Sequence, residues 1–157
     1  MSDAPEFEVR RAEPADAEPI ARLLHDFNRE FDDFTPGPAV LAERVRELLA
    51  AGEITVLLGG SEPNGLAVLR FRPSFWTGAL DCYLEELYVI PDLRSQGLGR
   101  ALMEAAIDLA RREGAARMDL GTSEDDVAAR ALYESLGFDN HEGRPDGPIS
   151  YFYEREL

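Results

Sequence analysis

The sequence predicts an α/β protein of the α+β kind, a central mixed sheet with helices on both faces. Two observations predict it. Short runs rich in Val, Leu and Tyr alternate with longer segments whose apolar residues recur at helical spacing. Turn clusters such as "TPGP" and "GSEPN" separate these runs. A chain of 157 residues, 45% hydrophobic and 30% charged, points to one globular domain over 1–157 that can bury a sizeable core.

Each element follows from a local pattern. "FEVRRA" (Phe7 to Ala12) reads as a short strand. Pro14 sits where a helix can begin, and "DAEPIARLLHDFNREF" sets Ile20, Leu23, Leu24 and Phe27 at helical spacing. After "TPGP", the segment "AVLAERVRELLAAG" gives a second amphipathic helix with Val40, Leu41, Val45, Leu48 and Leu49 on one side and Gly52 as its stop. "EITVLLG" and "GLAVLRFR" make a hairpin around "GSEPN", and "ALDCYLEELYVI" is a longer strand that ends at Pro91. A helix then runs from about Gly97 to Arg112, with Leu98, Leu102, Ala105 and Leu109 as its apolar stripe. "ARMDLGT" is a strand. "SEDD" opens a further helix, with Ser123 and Asp126 spaced like a capping box, and Gly137 closes it. "GFDNHEG" and "PISYFYEREL" supply two last strands around the "RPDG" turn. The order is β-α-α-β-β-β-α-β-α-β-β.

Composition narrows the function. The chain has 16 basic and 31 acidic residues, and every basic residue is Arg. The absence of Lys removes a P-loop and Schiff-base chemistry. A net charge of −15 argues against nucleic acid as a partner and is compatible with a cationic one. Most of the acids serve solubility. Cys82 stands alone, which rules out a disulfide within the chain and a cysteine-rich zinc site. No apolar run is long enough to span a bilayer, so no membrane partner is expected. Asp3 and the lack of a hydrophobic segment near the N-terminus argue against a secretory signal. The expected location is cytoplasmic, and a homodimer stays open.

The stretch "PDLRSQGLGRAL" carries the chemistry. A strand ends, a turn follows, and Gly97 and Gly99 open a helix. Helix N-termini present unpaired N–H groups and a partial positive charge, and glycines let a ligand approach the backbone. That is a site for a phosphate. Between Arg94 and Arg117 five arginines stand against Glu104, Asp108 and Glu113, and Arg94 and Arg100 add guanidinium donors suited to a pyrophosphate. A glycine-loosened turn with solvated arginines explains the same residues without a ligand. A dinucleotide fingerprint fits poorly: position 102 is Leu where the third glycine belongs, and six residues separate the strand from Gly97.

"RSQGLG" resembles the acyl-CoA-binding motif of the GNAT family of N-acetyltransferases, Arg/Gln-x-x-Gly-x-Gly/Ala. The resemblance continues through "LYV" before it, the amphipathic helix after it and "ARALYESLGF" downstream. It covers nearly the whole chain and implies acetyl-CoA as donor and an amine as acceptor. By that resemblance, backbone N–H groups of Gln96, Gly97, Leu98, Gly99 and Arg100 hold the CoA pyrophosphate, with Arg94 beside it. The main chain of Leu87 and Val89 pairs with the pantetheine arm like an added strand, in a slot opened by splaying from the next strand. The N–H of Val89 is an oxyanion donor. Tyr133 in "LYESLGF" is the general acid that protonates the leaving thiolate; a half-buried packing aromatic is its structural alternative. The family often has Asn seven residues before that tyrosine, and here the position is Asp126, which cannot donate as an amide does.

Glu85 and Glu86 are the candidate bases that deprotonate an ammonium, directly or through water. Strict alternation puts Glu85 on the face of Leu87 and Val89 and turns Glu86 the other way. Sheet-surface charges would look the same. His25 and His141 have no motif around them and read as surface or packing residues. The acceptor is expected between the first two helices and along the last strands. There Glu30, Asp32 and Asp33 alternate with Phe31 and Phe34 in a pattern that suits a cationic amine with apolar parts, and equally suits a solvated helix end. "RFRPSFW" is a further candidate wall of that cleft. The alternative from another class is a non-catalytic acyl-CoA-binding sensor or regulatory module.

Overall fold

The computed structural model describes residues 7–157; Asp3, used above against a secretory signal, lies outside them. It forms two compact units, one running to Leu120 and one from Gly121 to Leu157.

The first unit contains the sheet. Its strands are β1 (Val9–Arg11), β2 (Thr55–Gly59), β3 (Gly65–Pro73), β4 (Leu80–Val89) and β5 (Ala115–Leu120), in spatial order β1-β2-β3-β4-β5. The first four pair antiparallel and β5 pairs parallel with β4, so the sheet is mixed as expected. The helices are α1 (Ala17–Glu30), α2 (Pro38–Ala50) and α3 (Leu98–Arg112). Every boundary lies within a few residues of the sequence expectation.

Alternation along the strands sorts the two faces. Val56, Leu58, Leu66, Val68 and Tyr88 form one core with Ile20 and Leu23 of α1 and Val45 of α2. The opposite face receives α3, whose Leu98, Leu102 and Met103 are fully buried. Gly59 makes that approach possible: a Cβ there would come within 2.7 Å of Leu98 Cδ1. Cys82 is buried, and burial pushes its thiol up to about 11, so it behaves as a small apolar residue.

The second unit holds α4 (Val127–Ser135). Asp126, not Ser123, is its N-cap, and the Asp126 carboxylate accepts from the Ala129 N–H at 3.2 Å. The two last expected strands do not form. Among the described residues only an isolated antiparallel bridge joins His141 and Ile149. Asn140 accepts from Ser150 N–H and Pro148 accepts from Glu142 N–H, each at 2.8 Å. Pro148 has no N–H to return, so the ladder stops at this rung. Tyr151, Phe152 and Tyr153 beyond it are all exposed.

Candidate functional site

The loop that carries Gly97 and Gly99 follows the end of β4. A short 3-10 turn, Pro91–Leu93, leads to Gly97, which caps α3 with φ 96°. That left-handed conformation favours glycine, and a Cβ built there meets no atom within 4 Å, so space above the backbone is open. The helical ladder begins with the Ala101 N–H donating to the Gly97 carbonyl at 2.9 Å. The N–H groups of Leu98 and Gly99 precede that bond and lie at the helix start. The Gln96 side chain closes the loop by donating to the Asp92 carbonyl at 3.1 Å. Leu98 is buried and anchors the turn, and Arg100 is exposed on the first turn of α3.

Arg94 is engaged. Its guanidinium donates to both carboxylate oxygens of Glu30, at 2.7 and 2.8 Å, and its Nε donates to the Val89 carbonyl at 3.0 Å. The same group lies 5.5 Å over the Tyr88 ring. Tyr88 donates its hydroxyl to Glu30 at 3.1 Å and stacks on Phe27. Arg94 beside it holds the Glu30 carboxyl below its ordinary range, while burial, and next the Glu30 bond, push the Tyr88 hydroxyl up to about 12. Glu30 is the last residue of α1, so this cluster ties the end of α1 to the end of β4 and to the loop that follows it. Sequence reasoning placed Glu30 with the acids for an amine; here it is the partner of Arg94. No local signal links two residues 64 positions apart.

β4 opens on its β5 side. The β4–β5 ladder ends at Leu84 opposite Leu120, and Glu85 to Val89 continue without it. On the other side, β3 pairs Gly65 with Val89, Leu66 with Tyr88 and Ala67 with Leu87. The Ile90 N–H donates to Asn64 at 2.9 Å, which identifies that pair, and alternately Leu66–Tyr88, as the hydrogen-bonded ones. Leu87 and Val89 therefore turn their N–H and C=O groups away from β3, toward the side that β5 has left. The β4–β5 ladder stops where β5 itself ends, at Leu120, short of Leu87 and Val89, and Arg94 takes the Val89 carbonyl.

A bulge overturns the expected facing of the acids. The β3–β4 register shifts between Val68 and Leu69: Val68 opposes Glu86, Leu69 opposes Leu84, and Glu85 has no partner residue. Glu86 lies on the face of Val68 and Tyr88, the α1–α2 side. Glu85 reaches Arg70, two residues beyond Val68 on that same face, with Arg70 Nε donating at 2.6 Å. The two carboxylates therefore share a face. Burial, then the charges of Glu85 and Asp33, push the half-buried Glu86 carboxyl up to about 7.

The segment after α1 is ordered. His25 Nδ1 and Thr35 Oγ1 are 2.9 Å apart, Asn28 donates its side-chain amide to the Phe34 carbonyl at 2.6 Å, and Asp33 N–H donates to Asn28 at 2.8 Å. Phe31 and Phe34 remain exposed. Phe75 and Trp76 pack on each other in the β3–β4 turn. Of the "RFRPSFW" stretch, Arg70 reaches the acids, through Glu85. In the second unit, Tyr133 is buried on α4 and packs edge-on against Phe138, with ring centroids 6.1 Å apart. His141 sits at the isolated bridge. Among the described residues no cluster of His, Cys, Asp and Glu could hold a metal, and no helix is long and apolar enough to cross a membrane.

The sequence model of the acetyltransferase (GNAT) family matches residues 16–138. The crystal structure of an Arthrobacter sp. FB24 protein, assigned as an acetyltransferase without a stated acceptor, superposes with TM-score 0.88 at 44% identity, covering 100% of both chains. A thialysine N-epsilon-acetyltransferase of Caenorhabditis elegans is 27% identical over 136 residues, 85% of this chain and 84% of that protein. A ribosomal protein bS18-alanine N-acetyltransferase of Escherichia coli is 49% identical over 55 residues, 35% of this chain and 37% of its own.

Proposed function

The chain belongs to the acetyltransferase (GNAT) family, and on that premise we propose that it moves an acetyl group from acetyl-CoA to an amine by direct attack on the thioester. The observation that carries the proposal is the edge of β4, where Leu87 and Val89 direct main-chain groups to the side that β5 leaves after Leu120. The Leu87 groups and the Val89 N–H suit a pantetheine arm laid down as an added strand, the Val89 carbonyl already accepting from Arg94. The first turn of α3, Gln96 to Arg100, suits the pyrophosphate, and the open space above Gly97 fits a ligand against the backbone. Arg94, already held by Glu30, is assigned to shaping this loop.

Bound acetyl-CoA supplies an activated thioester. The chain supplies orientation and proton transfer. Glu86 takes the proton of the ammonium: a carboxyl lifted to about 7 is half ionised at neutral pH and basic enough to act. Glu85, paired with Arg70, contributes the charge that helps lift Glu86. The Val89 N–H donates to the thioester carbonyl oxygen as negative charge builds on it. The Tyr133 hydroxyl gives its proton to the departing sulfur. No step needs a metal.

The family match crosses both units, which supports one catalytic domain over the whole chain. The acceptor is assigned as a small-molecule amine, an antibiotic amine or a peptide amine. Asp32 and Asp33 beside the exposed Phe31 and Phe34 favour a cationic one. A cytoplasmic enzyme without nucleic-acid partners is consistent with the net charge of −15. A thiol-release assay with amino acids, polyamines, aminoglycosides and peptides is the test. Turnover of at least one amine is expected. Acetyl-CoA binding by calorimetry with no turnover of any of them would replace the enzyme by a cofactor sensor.

A further inference from the structure

The sheet face under α1 and α2 changes character past Val68. Leu66, Val68 and Tyr88 belong to the core that those helices cover. The next two side chains of β3 on that face are Arg70 and Arg72, 41% and 59% exposed. The residues there stand in rows across the sheet. Val68 opposes Glu86; Arg70 opposes Tyr83, which opposes Asp119 on β5; Arg72 opposes Asp81. Glu86 lies within range of the Asp33 charge, so that end of the face is acidic. The next rows bring guanidinium groups. Arg70 donates to Glu85 through Nε, at 2.6 Å, and among the described residues its two Nη groups have no partner. Arg72 reaches diagonally to Asp119 at 3.1 Å. The bulge in β4 makes the first of these pairs: strict alternation would turn Glu85 to the α3 side and leave Arg70 without it. A guanidinium held at Nε and open at both Nη is a placed fork, ready for a carboxylate at little cost in side-chain freedom.

We infer that Arg70 sets the acceptor's class: it holds the carboxylate of an amino-acid acceptor whose amine faces Glu86. The inference rests on the acetyl-transfer reading for the fate of the amine, and on this face alone for the carboxylate. Distance supports it. Val68, opposite Glu86, and Arg70 are two residues apart on β3, about 7 Å along the strand. Glu and Arg side chains are long enough to meet the two ends of one small molecule across that gap. Charge supports it as well. The chain carries −15, yet on this face Arg70 and Arg72 balance Glu85 and Asp119. A polyamine laid along these rows meets like charge at the arginines. A zwitterion meets an acid at its amine and a guanidinium at its carboxylate. The site therefore selects for the carboxylate as well as for the amine, which the acids alone would not do.

The test compares amines that differ by one carboxylate: lysine with cadaverine, phenylalanine with phenethylamine, and γ-aminobutyrate with propylamine. NMR titration of each against the protein with CoA bound reads binding, and thiol release from acetyl-CoA reads turnover. In at least one pair the carboxylated member should bind about tenfold tighter or more, the worth of one charged hydrogen-bonded contact. Arg70→Gln should bring the ratio within that pair close to one. A ratio cancels any general effect of the variant on Glu86, and the wild-type comparison stands even where the variant fails to fold. Equal or weaker binding of the carboxylated member in every pair overturns the inference. So does binding of no member, or a preference that survives Arg70→Gln. The two readings fail separately. A carboxylate preference with no thiol release upholds this site and overturns acetyl transfer, and thiol release from the amines with no preference does the reverse.

Discussion

Glu86→Gln separates catalysis from stability at one residue. The wild-type carboxyl moves from an ordinary 4.5 to about 7 on folding, mainly because burial disfavours its charge. The folded state therefore holds a proton that the unfolded chain releases. Stability contributed by the neutral form is complete below pH 4.5 and is lost as pH rises to about 7. Each pH unit of displacement corresponds to about 1.4 kcal/mol, so the ceiling on the loss is about 3.5 kcal/mol, trimmed to about 3 kcal/mol or less by screening because the side chain is only half-buried. Gln cannot ionise. The variant should match wild type at pH 4.5 and melt higher at pH 8, by up to about 6–12 °C for a chain of this size. Turnover should move the other way, falling about 10²–10⁴-fold, and the limb of kcat/KM that bends near pH 7 should vanish. Melting curves at both pH values and a full pH–rate profile are the assays. A Glu86→Gln enzyme that keeps its bend near pH 7, or melts lower than wild type at pH 8, would refute the reasoning.

Glu30→Gln keeps the shape of the Arg94 cluster and removes its charge; the exposed pair is worth about 0–1 kcal/mol. The larger expected effect is a rise in KM for acetyl-CoA with kcat nearly unchanged, and equal loss of both would contradict a positioning role. Because Arg94 holds the Glu30 carboxyl low, its stabilisation is present above the ordinary pKa and is lost on acidification, so the variant should differ from wild type at pH 7 and converge with it in acid melts. Gly97→Val forces a β-branched residue to φ 96°, at a cost of about 1–3 kcal/mol, and fills the open space; calorimetry on the folded variant should show lost acetyl-CoA affinity. Tyr133→Phe keeps the ring against Phe138 and should lower turnover while the melting temperature holds, whereas lower stability with normal turnover would mark a packing residue.

The elements that were legible in the sequence are those with local causes. α3 could be read because Leu98, Leu102 and Leu109 recur at its period and Gly97 stops the preceding turn. β2 and β3 could be read because "GSEPN" leaves a hairpin as the simplest connection. The facing of Glu85 and Glu86 could not. Alternation holds only while the register holds, and a bulge depends on how β4 meets β3, which no window of β4 contains. The last strands failed for a related reason. "PISYFYEREL" has strand composition, but a strand exists only when another edge accepts it, and composition does not name that edge. Asp126 shows the same limit at a helix end: a capping-box spacing pointed to Ser123, and backbone geometry chose the residue three positions later.

The arginines around the anion loop raise a final point. In the sequence they form a basic island in a chain of net charge −15, which suggests guanidinium groups gathered for a pyrophosphate. The structure spends two of them elsewhere: Arg94 on Glu30 and Arg112 on Asp108. What the loop offers an anion is then chiefly the start of α3, fixed N–H dipoles held in place by the Gly97 turn and the buried Leu98. Such donors carry no mobile counterions and lose no side-chain entropy when a ligand arrives. Affinity built on them depends on backbone shape more than on charge count. Acetyl-CoA binding should therefore respond sharply to Gly97→Val and weakly to added salt, and Arg94 matters through the geometry it imposes with Glu30 more than through its own charge.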